Sequence, residues 1–252
     1  MTARNRFRPL VAYRAMHTLR ENPDDTAAAI VVIAALSGNA GKRLFNRFRR
    51  SPNADRILRE KRDLYDLLAD VDGLLAMPEG SLGRTIGQWF VRENIGAQGL
   101  AQASQAANLK LKLPPAAGEE QVFSTRLLNL HDVFHVVSGY DRDLRGEIAV
   151  LALTFAQTRN PGIGYLLFDA LRSEGWNSET GRLIRQGYQR GRKATWLVDL
   201  DWEALLPRPI DEVREGGGHH GAVGFAQRAL PGEQGLHVEQ VHRVREVGVG
   251  EV

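Results

Sequence analysis

The stretch Leu127–Val150, LLNLHDVFHVVSGYDRDLRGEIAV, sets His131, Asp132 and His135 inside a run that is otherwise almost wholly apolar, then opens a second apolar run at Glu147. At about 100° per residue on a helix, His135 lies about 40° from His131 and Asp132 about 100° from it, so the three share one arc. Leu127, Leu128, Leu130, Val133, Phe134, Val136 and Val137 surround them on nearly every side, as in a buried helix. Burying such groups without partners costs roughly 1–3 kcal/mol each, and more for a charge. A divalent metal ion would satisfy them together. The i, i+4 histidine pair is the ordinary geometry by which one helix offers two imidazoles to a metal.

On one unbroken helix Glu147 would lie about 160° from His131. Gly139 and Gly146 break the run and let the chain fold back, so that Glu147 arrives from a second helix. Each element has a plainer reading. An H-x-x-x-H pair by itself is weak, and a glutamate at a helix start is favoured by the helix dipole. An H-E-x-x-H glutamate is absent, which argues against a metalloprotease, and only His17 precedes the motif, a poor match to phosphohydrolases built on adjacent His-Asp.

Around this stretch the chain has 252 residues and is 43% hydrophobic, enough for one sizeable domain or two small ones. With no cysteine, disulfides and thiolate sites are excluded, and any metal must take N and O ligands. The formal net charge is +3, with Arg far outnumbering Lys, and no basic motif interleaved with aromatics marks a nucleic-acid binder. The longest apolar run, Ala27–Leu36, is about half the roughly 20 residues a membrane span needs. The basic N-terminus reads as an ordinary first helix or as part of an organelle-targeting peptide; it lacks the apolar core of a secretory signal. A cytoplasmic protein, soluble or peripheral on a membrane, is expected.

In chain order, Arg6–Leu19 predicts an amphipathic helix stopped at Asn22-Pro23, and Asp24 to Thr26 supply caps for a helix ending at Leu36. Lys42–Arg50 is a helix with Leu44, Phe45 and Phe48 on one face. Its basic face is either solvated or laid on anionic lipid. Ala54–Leu68 reads as one helix, Ser81 as the cap of a helix to about Val91, and Gln98–Gln121, with Pro114-Pro115, as a loop or hairpin. Phe123–Ser138 is the helix carrying the histidines, with Gly139 at its C′ position. Gly146–Gln157 and Tyr165–Leu171 are further helices. Arg182–Lys193 is a basic one whose charges are either solvated or grip a carboxylate, phosphate or headgroup. A short turn at Asp199–Leu205 is broken by Pro207 and Pro209. From Gly216 the composition becomes Gly-rich and aperiodic, so residues 1–215 form one all-α domain and 216–252 a low-order extension. The histidines of that extension, His219, His220, His237 and His242, are read as solvated.

His131-Asp132-Val133-Phe134-His135, followed by eleven residues and Glu147, resembles the signature of the coenzyme Q (ubiquinone) biosynthesis protein Coq4 family. Pro78-Glu79-Gly80-Ser81-Leu82-Gly83 looks like that family's P-x-G-[ST]-L-G turn. Asp201-Trp202-Glu203-Ala204-Leu205, with Arg208 to Arg214, is similar to its C-terminal ending. The three occur in the family's order over roughly Arg6–Glu215. The resemblance implies an all-α fold around an apolar prenyl-lipid site, peripheral membrane association, and a divalent metal, zinc or another first-row ion, held by His131, Asp132, His135 and Glu147. It implies a role in ubiquinone assembly, with a polyprenylated benzoate or quinone lipid and other biosynthesis proteins as partners; a homodimer is compatible with it. The membrane face would be the inner membrane's cytoplasmic side in a bacterium, or the matrix side in a mitochondrion. Two activities stay open. One is metal-dependent removal of the ring carboxylate from a polyprenylated hydroxybenzoate with hydroxylation at that carbon. The other is a non-catalytic lipid-binding scaffold that organises the biosynthetic enzymes.

Overall fold

A computed structural model describes residues 7–60, 64–111 and 117–215 of the chain. Among them there is no strand, and capping chemistry explains where many of the helices start. Helix α1 (Pro9–Glu21) has proline at its first position and ends before Asn22-Pro23. In α2 (Thr26–Ser37) the Asp25 carboxylate accepts the Ala28 N–H at 2.8 Å. Gly38, at φ 50°, turns the chain by 84° into α3 (Ala40–Phe48). No single helix among the described residues is long and apolar enough to cross a membrane. In α3, Leu44, Phe45 and Phe48 are buried while Lys42, Arg43 and Arg47 face out, as its sequence pattern predicts.

The stretch read as one helix over Ala54–Leu68 is instead α4 (Ala54–Arg59), ending at Glu60, and α5 (Leu64–Ala69). Packing explains the split. Ala54, Ile57 and Leu58 join α3 in one apolar cluster, whereas Leu64 and Leu68 enter the main core. A short α6 (Val71–Leu75) follows, then α7 (Leu82–Glu93), whose Arg84 N–H is capped by Ser81 Oγ at 3.2 Å.

The segment expected to be a loop is overturned for most of its length: Ala97–Leu111 forms α8. Its Ala- and Gln-rich composition favours helix intrinsically. Its apolar side is thin, with Ala107 and Leu111 buried against α1 and α2, which hides the period in the sequence. Pro114 and Pro115 lie outside the described residues.

Helix α9 (Glu119–Ser138) runs through the centre. Its Leu130, Val133, Phe134 and Val137 share one core with Leu64 and Leu68 of α5 and with Ile86 and Phe90 of α7. Helix α10 (Leu144–Thr158) packs beside it, followed by α11 (Pro161–Glu174) and α12 (Glu179–Lys193). The α10–α12 approach is close enough to require glycine. A side chain at Gly187 would run into the Ala149 carbonyl, and one at Gly191 would come within 2.6 Å of the Leu153 carbonyl.

After a 3-10 turn (Leu197–Asp199) come α13 (Trp202–Leu205) and α14 (Ile210–Glu215), the latter beyond the prolines that break the chain after Leu205. Buried Val213 holds α14 against the core. The two outer sequence motifs meet here. Leu82 and Gly83 N–H donate to the Arg208 and Leu206 carbonyls at 2.8 and 2.7 Å, and Ile210 N–H donates to Gly80 at 2.9 Å. Alternate acids then tie this end back: Asp199 accepts Ser51 Oγ at 2.5 Å, Asp201 pairs with Arg56, and Glu203 with buried Arg126 of α9. The extension at 216–252, with its four histidines, lies outside the described residues.

Candidate metal centre

Helix α9 ends in a built stop. Gly139 takes the left-handed conformation at φ 69°, and its N–H returns to the His135 carbonyl at 2.8 Å. The next three carbonyl groups are taken by arginines from elsewhere in the fold. Arg190 of α12 donates to Ser138 at 2.7 Å, and Arg214 of α14 donates to Val136 and Val137 at 3.0 and 3.2 Å. So part of the basic pattern at 182–193 holds the histidine helix in place. The chain then reverses, Asp143 caps Gly146 N–H at 2.7 Å, and α10 begins. Gly146 is needed for this, since a Cβ there would overlap the Asp141 carbonyl.

The reversal aims Glu147 back at α9. Its Oε2 lies 3.3 Å from His131 Nε2 and 3.4 Å from His135 Nε2. One ligand atom from each of His131, His135 and Glu147 lies within 4.8 Å of the other two. Asp132 stands behind this group, with its Oδ1 3.5 Å from His131 Nδ1. Thus three of the four residues expected at the centre converge on one point, and the fourth backs one of them.

Protonation sharpens what the group demands. His135 Nδ1 lies 2.9 Å from the Tyr140 carbonyl, which can only accept, so Nδ1 carries the hydrogen. In the neutral ring Nε2 is then a lone pair. It is fully buried, has no hydrogen-bond partner, and faces a carboxylate oxygen. Two electron-rich atoms that close need a cation between them, a proton in the metal-free protein or a metal ion in its place. Trp89 stacks on the same ring at 5.5 Å and keeps it from turning away. At His131, burial opposes protonation, but hydrogen bonds and charge from Asp132 and Glu147 outweigh it and push the imidazole up to about 10. At Glu147, burial alone would raise the carboxyl; the two histidines overcome this and hold it well below the usual carboxylate range. The metal-free cluster therefore keeps positive charge as protons. The donor set fits a first-row divalent ion: two imidazole nitrogens, each with Nδ1 held from behind, and a carboxylate.

His131, Asp132 and Glu147 line a cleft of about 1620 Å³ reaching α2, α3, α8 and α11. Away from the cluster its wall includes Ile30, Ile33, Leu44, Phe45, Leu127 and Leu151. Sequence reading had not found the Tyr140 carbonyl, Trp89, or Arg142, whose Nε is 3.8 Å from Glu147 Oε1. Only Arg142 left a trace, as a charge in the link just before Glu147.

The family model for Coenzyme Q (ubiquinone) biosynthesis protein Coq4 matches residues 9–218. The chain belongs to the Coq4 family. Similar relatives include the ubiquinone biosynthesis protein coq4, mitochondrial, of Penicillium rubens, 27% identical over 166 residues, covering 65% of this chain and 55% of that one. The protein of the same name from Talaromyces stipitatus is 28% identical over 169 residues, with the same coverage. The chain thus spans about half the length of these Coq4 relatives. The crystal structure of a putative ubiquinone biosynthesis protein from Nostoc punctiforme superposes with TM-score 0.56 at 19% identity, covering 83% of this chain and 97% of that one, and shows that the fold is shared.

Proposed function

We propose that this Coq4 family member acts in ubiquinone biosynthesis as a metal-dependent enzyme on a polyprenylated hydroxybenzoate, peripheral on a membrane. Its reaction would exchange the ring carboxylate for a hydroxyl: the C–CO₂ bond breaks and releases CO₂, a C–OH bond forms, and dioxygen takes the two electrons and leaves as hydrogen peroxide (ArCO₂H + O₂ + H₂O → ArOH + CO₂ + H₂O₂). The observation that carries the reading is the buried, unpartnered His135 Nε2 facing Glu147 beside an apolar cleft. His131, His135 and Glu147 would hold the ion. Asp132 completes the centre from the position of a carboxylate that orients a ligating imidazole. A divalent ion there, zinc or another first-row metal, would polarise the phenolate or carboxylate oxygen of the head group. The chain's own part is to orient that head against the cluster and to exclude water around the tail. Each tail CH₂ buried along Ile33, Leu127 and Leu151 contributes about 0.8 kcal/mol. The relatives' names support the pathway, and their mitochondrial designation supports a mitochondrial location; the inner-membrane face is part of the proposal.

The test is to incubate the metal-loaded protein alone with a prenylated hydroxybenzoate in air and follow release of the carboxylate as CO₂. Turnover that disappears in His131→Ala and Glu147→Ala supports the enzyme. Tight lipid binding with no turnover, and activity only when partner biosynthesis proteins are added, would instead identify the scaffold. That alternative draws on the extent of apolar wall lying away from the cluster.

A further inference from the structure

The link between α9 and α10 and the first turn of α10 carry several charges, and most have a partner. Asp141 pairs with Arg92 at 3.2 Å, Asp143 caps α10, and Arg145 pairs with Glu179 at 2.6 Å. Arg142 differs. Among the described residues its one charged neighbour is Glu147, at 3.8 Å, too far for a hydrogen bond. Its guanidinium donates to no described residue, lines the cleft, and is 38% exposed. A planar fork of N–H donors thus stands unused at the edge of the candidate metal centre.

Charge balance indicates what it would meet. A divalent ion with neutral His131 and His135 and anionic Glu147 and Asp132 sums to zero. Arg142 then leaves the centre with one positive charge to be matched. One carboxylate matches it in charge and in shape, because arginine's parallel donors fit the two oxygens of a carboxylate side by side. Arg142 also faces Glu147 Oε1, whereas the histidines face Oε2, so it can turn to a ligand without disturbing the atom that the metal would use.

We propose that Arg142 is the carboxylate-recognising residue of the cleft. It grips the ring carboxylate of an amphiphile whose apolar tail runs along Ile33, Leu127 and Leu151. This rests on the reading that the cleft takes a prenylated hydroxybenzoate beside a divalent metal.

The experiment uses the zinc-loaded full chain, with zinc occupancy measured separately, and calorimetric titration with two matched lipids. These are 3-geranyl-4-hydroxybenzoate and 2-geranylphenol, which differ only in the carboxylate. Arg142→Gln should weaken the benzoate by about tenfold or more, the value of a charge-assisted pair, and leave the phenol and the zinc occupancy unchanged. Arg142→Lys should recover part of the loss, since charge is restored without the fork. Equal benzoate affinity in wild type and Arg142→Gln overturns the proposal, as does a parallel loss for both lipids. So does an Arg142→Gln defect confined to binding of anionic phospholipid vesicles. If the wild type takes no zinc, the metal reading fails by itself, and the same pair of titrations on zinc-free protein still decides for or against Arg142. If neither lipid binds the wild type, the cleft reading and this proposal fall together.

Discussion

Metal loading should expel a proton, and the structure sets the size of the effect. In the metal-free protein the His131 imidazole is pushed up to about 10 by Asp132 and Glu147, so at pH 7.5 it is almost wholly protonated. An ion that takes His131 Nε2 must displace that proton. Doing so at pH 7.5 costs about 3 kcal/mol, from about 1.4 kcal/mol for each pH unit below the pKa. Apparent zinc affinity should therefore climb about tenfold per pH unit from pH 6 to 8.5. At fixed pH, calorimetry in two buffers of different ionisation enthalpy should show release of about one proton per zinc. In His131→Gln the ion should bind more weakly, and the part of the pH slope due to His131 should vanish. An affinity that stays flat over this range, with no buffer dependence, would mean that His131 is already neutral and that its carboxylate neighbours do not act as described.

Three further outcomes follow from the structure. The raised His131 contributes stability to the metal-free protein that is fully present below its unfolded pKa of about 6.5 and is lost as pH rises through about 10. Depressed Glu147 contributes stability present above about 4.5 that fades on acidification. The melting temperature of chelator-treated protein should thus fall between pH 7 and 10, and zinc should remove most of that fall; a pH-independent melting temperature contradicts this. Gly187→Ala forces a methyl against the Ala149 carbonyl and should cost about 2 kcal/mol net of the better helix propensity, lowering the melting temperature by roughly 4–8 °C. An unchanged or raised value would show that α12 is free to back away. Arg126 is 1% exposed and paired with Glu203, so Arg126→Ala should cost about 3 kcal/mol in urea unfolding by stranding a largely covered carboxylate. The Arg126→Ala/Glu203→Ala double variant should cost less than the sum of the two singles, and strict additivity would show that the pair is not coupled.

Much of the fold is legible locally because its punctuation is chemical. Asp25 and Ser81 cap the helices that their positions predict, and Gly139 closes α9 at the expected residue, since each needs only its own neighbours. Reading failed where packing rather than chain chemistry decides. Helix α8 has too thin an apolar side to show a period, and the 54–68 stretch divides because its two halves bury in different clusters. Helix α14 escaped notice because its anchor is a single buried Val213 after two prolines.

For the centre, sequence alone determined which groups would need a partner: two imidazoles on one helical arc, a carboxylate beside them, and another carboxylate beyond a glycine-bounded reversal. Residue type and the 3.6-residue repeat are sufficient for that. Only the tertiary structure decided how they meet. It placed Glu147 Oε2 between the two Nε2 atoms and set Asp132 behind His131. It also fixed the His135 tautomer through the Tyr140 carbonyl and brought Arg142 alongside Glu147. These follow from the direction in which α10 leaves the turn. That direction is set by close helix contacts and by distant Arg190 and Arg214 on the α9 carbonyls, information spread over residues far apart in the chain.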